Sequence, residues 1–176
     1  PFWEKELDAV KILDVGLRSA YVASWHAARI MVPQGSGIIA MTSSFGASCY
    51  MHGPAYGAQK AGLDKLAHDM EHDLRGTGVI AVSLWLGMQM TERAQISAKT
   101  HPEQYEALIG MAENPEFSAH VLDAIDKAPN RDDLSGQTLI VAEIAKELGI
   151  TDRGNERFSH RAMLGSPRPK NPAAIY

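Results

Sequence analysis

The chain has 176 residues, 45% apolar and 22% charged, enough for one globular domain with a sizeable core. A net charge of −4 and a pI near 6.0 argue against a nucleic-acid or anionic-membrane partner. The single cysteine, Cys49, excludes an intramolecular disulfide and suits a reducing, cytoplasmic location, and no apolar run approaches the ~18 residues of a membrane span.

No signal peptide or initiator methionine stands at Pro1-Phe2-Trp3-Glu4, and the chain reads as a piece of a longer protein. Leu7, Val10, Leu13, Leu17, Tyr21 and Trp25 recur at helical spacing and predict one long helix from about Glu4 to Met31, ended by Pro33 to Gly37. Gly37 to Met41 is a short apolar run that reads as a buried strand, followed by the Ser43 region and a loop from Phe45 to Pro54. A second helix is predicted from about Pro54 to Arg75, with Leu63, Leu66, Ala67, Met70 and Leu74 as its apolar stripe and Gly76 as its stop. Val79 to Trp85 is the next buried strand, with Leu86 to Thr91 as the loop at its end. A weakly periodic helical stretch then runs from Thr91 to Asn114, interrupted by Pro102. A helix from Pro115 to Lys127, a loop, a strand from Leu134 to Val141 and a short helix from Glu143 to Leu148 complete the regular part. Helices alternating with strands imply an α/β fold with a parallel sheet covered by helices. The expected division is a catalytic portion, 1–165, and a Pro-rich irregular tail, 166–176.

Tyr56 and Lys60 are four apart and share one face of the second helix. A nearby ammonium favours the tyrosinate and draws a phenol of pKa about 10 toward working pH, as a general acid/base requires. Thr42-Ser43-Ser44 ends the preceding strand, with Ser43 thirteen residues before Tyr56, and a serine there can donate to the same substrate oxygen. Tyr-x-x-x-Lys alone equally describes a surface tyrosine touching a lysine one turn on. The strand–loop–helix setting, at the strand ends where open α/β sheets bind ligands, favours hydride transfer between a carbonyl and a nicotinamide.

These stretches resemble the C-terminal part of a short-chain dehydrogenase/reductase. Gly37 to Gly46 resembles the family's strand ending in a catalytic serine, Tyr56 and Lys60 its catalytic pair, and Leu74 to Leu84 the exit into its sixth strand. Gly87 to Thr91 resembles its Pro-Gly-x-x-x-Thr loop, and Leu134 to Gln137 the turn into its last strand. The resemblance covers about residues 2–165. It implies a Rossmann-like doubly wound parallel sheet and an oxidoreductase using NAD or NADP on a small carbonyl or secondary alcohol. Tyr56 would act as general acid/base, with Lys60 on the nicotinamide ribose and Ser43 polarising the substrate oxygen. Ser44 competes with Ser43 for that role, and Ser43 is preferred for its spacing to Gly46 and Tyr56. Gly87, Gln89 and Thr91 would meet the nicotinamide carboxamide, Gln89 through its backbone, although Thr91 also suits simple helix capping. The resemblance further implies a homodimer or homotetramer packed through the two long helices.

Three departures from the family stand out. The glycine-rich phosphate turn and the Asn-Asn-Ala-Gly stretch are not in this sequence, so the N-terminal dinucleotide-binding half, about the first hundred residues, is absent, and the chain by itself is expected to be inactive. Gly16 stands where the family often has a proton-relay asparagine. Leu86 replaces the proline before Gly87 and loosens that backbone.

His68 and His72, four apart, have the spacing of a metal pair, but no third ligand follows, so a solvated or interface face is the expectation and no metal is assigned. A non-catalytic binding or oligomerisation scaffold of the same fold is the alternative function. A serine hydrolase is disfavoured, because no Gly-x-Ser-x-Gly elbow occurs.

Overall fold

The computed structural model describes residues 1–171, 173 and 175, with the side chains of 104 and 106–108 left aside. Three strands, β1 (Gly37–Ser43), β2 (Val79–Trp85) and β3 (Thr138–Ile140), form one parallel sheet in the order β1-β2-β3. Gly37 pairs with Val79 and Ser43 with Trp85, so β1 and β2 run side by side over their full lengths and end together. This is the expected α/β arrangement, with each crossover carried by helix.

All seven residues of β2 are buried, because both faces of the sheet are covered. Its side chains alternate between two cores. Ile80, Val82 and Leu84 face Phe117, Val121 and Ile125 of α5 (Pro115–Lys127) and Val141 and Ile144 of α6 (Val141–Glu147). On the other face, Val79 and Ala81 join Ile39 and Met41 of β1 under Leu63, Ala67 and Leu74 of α2 (Pro54–Leu74). Thr77 Oγ1 donates to Leu74 O at 2.6 Å and accepts from the Val79 N–H at 3.2 Å, which fixes the turn from α2 into β2. The invariably buried end of that strand therefore reaches the site in one register.

Several elements differ from the sequence expectation. The first helix is continuous α-helix only as α1 (Ser19–Gln34). The residues before it form short 3-10 turns at Phe2–Glu4 and Leu7–Lys11 and a turn of π-helix at Asp14–Arg18. The predicted stripe does not form one buried face: Leu17 packs on the α2-side core, whereas Leu7 is 85% and Trp25 47% exposed. Arg29 lies over the Trp25 ring at 4.6 Å. The polar stretch divides at Pro102 into α3 (Glu92–Thr100) and α4 (Pro102–Ile109), since proline cannot continue the first helix's bonding. The third strand keeps only three of its predicted residues, because Leu134 ends a 3-10 turn (Arg131–Leu134), Ser135 and Gly136 turn the chain, and Val141 already begins α6. A short helix, α7 (Arg161–Leu164), was not anticipated. Beyond it Lys170 ties the chain back to the domain, donating to Gly136 O at 2.6 Å. Among the described residues, no helix is long and apolar enough to cross a membrane.

Candidate active site

The C-terminal ends of β1 and β2 open onto two structures: the corner from Ser43 to Lys60 and the loop from Leu86 to Thr91. At the corner, Ser44 caps a 3-10 turn (Phe45–Ala47), its Oγ accepting from the Gly46 N–H at 3.2 Å. The same Oγ lies 3.0 Å from Tyr56 Oη. Tyr56 reaches it because Gly46 has no side chain: a Cβ there would lie 2.5 Å from the tyrosine ring. Gly57 likewise lets α2 start against the turn, since its Cβ would meet Gly46 O at 3.2 Å. The His52 ring stands edge-on to Tyr56 at 5.0 Å.

Lys60, one helical turn after Tyr56, holds its Nζ 5.5 Å from the Tyr56 ring centre and donates to Thr42 O at 2.9 Å. Burial lowers the Lys60 pKa from its ordinary value, against the opposing pull of the Asp64 carboxylate. The corner thus gathers the Ser44 hydroxyl, capping the 3-10 turn, with the Tyr56 hydroxyl and the Lys60 ammonium, from the first two turns of α2.

Ser43, expected to face Tyr56, does not. It is 2% exposed, and its Oγ donates to Lys60 O at 3.1 Å, beneath α2, where it also supports the Asp64 carboxylate. Successive residues of an extended strand point to opposite sides, so only one of two adjacent serines can meet the tyrosine. In this structure that residue is Ser44, the competitor that spacing had ranked second.

The loop residues are close together and anchored from behind. Gln89 Nε2 donates to Gly87 O at 3.2 Å and to Glu113 Oε2 at 2.6 Å, while the Gly87 N–H donates to the same Oε2 at 3.2 Å. Thr91 Oγ1 accepts from the Ala94 N–H at 3.2 Å and so caps α3, the simpler of its two expected duties.

Sequence reasoning missed three polar residues. Asp64, four beyond Lys60, accepts from Ser83 Oγ at 2.6 Å and from Trp85 Nε1 at 2.9 Å, with its pKa raised by burial. The lone serine in an otherwise apolar β2 was the available signal, because a fully buried hydroxyl needs a partner. Gln59, 5% exposed, occupies the space a side chain on Gly16 would enter, beside a cavity of about 430 Å³ that Thr42 and Lys60 also line. Glu113 lies between two helices and carries no periodic signal at all. His68 and His72 stack edge to face at 5.6 Å, and no group of three or more His, Cys, Asp and Glu residues is placed to hold a metal ion among the described residues.

The chain is 37% identical over 159 residues to dehydrogenase/reductase SDR family member 1 of Homo sapiens and, at the same identity and length, to that of Mus musculus. Each match covers 86% of this chain and 51% of the relative, so the chain spans about half the length of the curated relatives it matches. Among solved structures, a putative NAD(P) dependent gluconate 5-dehydrogenase from Beutenbergia cavernae, with NADP bound at low occupancy, superposes with a TM-score of 0.63 at 25% identity. That superposition covers 80% of this chain and 59% of the other. The sequence profile of the short chain dehydrogenases matches residues 3–102, a span that contains β1, the whole Ser44–Tyr56–Lys60 corner and the loop after β2, and the chain therefore belongs to the short-chain dehydrogenase family.

Proposed function

We propose that the protein carrying this chain is an oxidoreductase that interconverts a small carbonyl compound and its secondary alcohol with NAD or NADP. The observation that carries the reading is the 3.0 Å contact between Ser44 Oγ and Tyr56 Oη, one helical turn from the half-buried Lys60 ammonium. A carbonyl oxygen set between the two hydroxyls would receive a hydrogen bond from Ser44 and a proton from Tyr56. In the oxidative direction Tyr56 would take that proton back. The curated relatives are dehydrogenase/reductases by name, which supports the reaction class.

The donor set suits the nicotinamide end of the cofactor. Lys60 offers an ammonium for ribose hydroxyls, and the Gly87–Thr91 loop lies at the end of the neighbouring parallel strand, Gly87 being two residues beyond Trp85. A bound nicotinamide would supply or accept the hydride. Lys60, held by Thr42 O, would keep positive charge beside the Tyr56 ring. The phosphates would be held outside this chain, which has no glycine-rich turn of the family's kind. Self-association through α1 and α2 fits the exposed Tyr21, Trp25 and Ile30 on α1.

The test uses the protein with its flanking sequence. NADH and NADPH are titrated by nicotinamide fluorescence, and carbonyl reduction is followed in wild type and Tyr56→Phe. The variant is expected to lose about 10²–10⁴-fold in turnover, with cofactor affinity changed by less than about threefold. Undiminished turnover in Tyr56→Phe would sink the mechanism. Failure of the wild type to bind either cofactor would favour a scaffold.

A further inference from the structure

Glu113 is a carboxylate in a place where a carboxylate is costly. It is 2% exposed, and burial raises its pKa, opposed by its hydrogen bonds to Gln89 and Gly87. Every hydrogen bond given to its side chain comes from the loop after β2: the Gly87 N–H at 3.2 Å and Gln89 Nε2 at 2.6 Å. Its backbone grips the same loop, donating to Met88 O at 2.7 Å and accepting from the Met90 N–H at 2.8 Å. Gly87 fits this approach closely, since a Cβ at 87 would lie 2.6 Å from Glu113 Oε1.

The clamp has its own support. The next residue, Asn114, donates its backbone N–H at 2.9 Å and its Nδ2 at 2.7 Å to Asp152, which is paired with Arg157 at 2.6 Å. Arg157 and Asp152 are also the two charges acting on Glu113, in opposite senses. A residue that only filled space here would be apolar. This one accepts from the partly buried Gly87 N–H and from the Gln89 amide, so it has a polar task that an apolar side chain could not perform.

We propose that Glu113 is a positioning residue, whose carboxylate fixes the Gly87–Gln89 backbone, and turns the Gln89 side chain inward, so that the loop can receive the nicotinamide end of the cofactor. The inference rests on the reading that this loop meets the cofactor. It gives the loop, where Leu86 stands in place of a proline, a restraint that its own backbone lacks.

The test uses the protein with its flanking sequence and the variants Glu113→Gln, Glu113→Ala and Gln89→Ala. NADH and NADPH dissociation constants, the KM of cofactor and of carbonyl substrate, kcat and the melting temperature are measured together. Loss of the Glu113 carboxylate should raise the cofactor Kd and KM about tenfold, the scale of one hydrogen bond to a charged group, with the carbonyl KM within about twofold. Gln89→Ala should raise cofactor Kd about threefold, and adding it to Glu113→Gln should cost little more, because both act through one contact. A folded Glu113→Gln protein with wild-type cofactor affinity overturns the proposal, as does an equal rise in both KM values alongside a lowered melting temperature. If the Glu113 variants do not fold, unchanged cofactor affinity in Gln89→Ala overturns it. A wild type that binds neither cofactor overturns both this proposal and the oxidoreductase reading, whereas a binding wild type with unaffected variants overturns only the clamp.

Discussion

The two halves of the candidate site are built by different means. The Ser44–Tyr56–Lys60 corner is local: three residues within seventeen positions, placed by one strand end, one 3-10 turn and one helix turn. The Gly87–Thr91 loop has little internal structure and takes its shape from Glu113, twenty-four residues after Gln89. The first kind of site is specified by spacing, because a helix puts residues four apart on one face. The second is specified by a long-range polar contact, which no repeat in the sequence announces.

Breaking the local half should give the larger effects. Ser44→Ala is expected to lower kcat about 10²-fold, whereas Ser43→Ala should leave kcat nearly unchanged and cost about 1 kcal/mol of stability through its lost bond to Lys60 O. Steady-state kinetics and denaturant unfolding on both variants decide the point. A kcat loss in Ser43→Ala alone would return the role to the residue that spacing favoured. Gly46→Ala comes next. It drives a methyl into the Tyr56 ring, which should cost about 1–3 kcal/mol and lower turnover as well, read by urea unfolding and by rate. If stability falls but turnover holds, the ring has room to move and the corner is less rigid than its contacts imply.

The smallest effect sharpens the comparison from below the site. Asp64 lies under the corner with its pKa raised above 3.8 mainly by burial, so the folded state holds its proton more tightly than the unfolded state does. Its contribution to stability is greatest below pH 3.8 and falls as pH rises through the raised folded value. Asp64→Asn removes that titration. Thermal melts from acid to neutral pH should show the variant gaining on wild type as pH rises. A variant that loses ground over that range would mean that the bonds from Ser83 and Trp85 outweigh burial and depress the pKa.

Much of the fold was legible for a physical reason. β2 from Val79 to Trp85, α2 from Pro54 and α5 from Pro115 to Lys127 are elements whose apolar residues repeat at their own period, bounded by glycine or proline. The failures share the opposite property. Residues before Ser19 carry a helical repeat but fold largely as 3-10 and π turns, and although Leu17 packs on the core, Leu7, Val10 and Val15 are left exposed. Periodicity predicts which residues share a face, not whether anything covers it. Which of Ser43 and Ser44 faces Tyr56 was not legible for a related reason: adjacent strand residues have opposite facings, and spacing to Tyr56 differs between them by only one position.

By itself, then, the sequence determined the alternation of strand and helix, the parallel sheet, the family, and the Tyr56–Lys60 pair, all of which depend on regularities a few residues long. The tertiary structure alone decided which serine meets Tyr56, what lies beneath Lys60, and what holds the loop after β2. Those outcomes turn on buried polar groups finding partners across the fold: Asp64 with Ser83 and Trp85, Glu113 with Gly87 and Gln89. Desolvation makes each such pairing strongly preferred once the chain is compact, yet it leaves no mark on local sequence, because the partners are brought together only by packing of the elements between them.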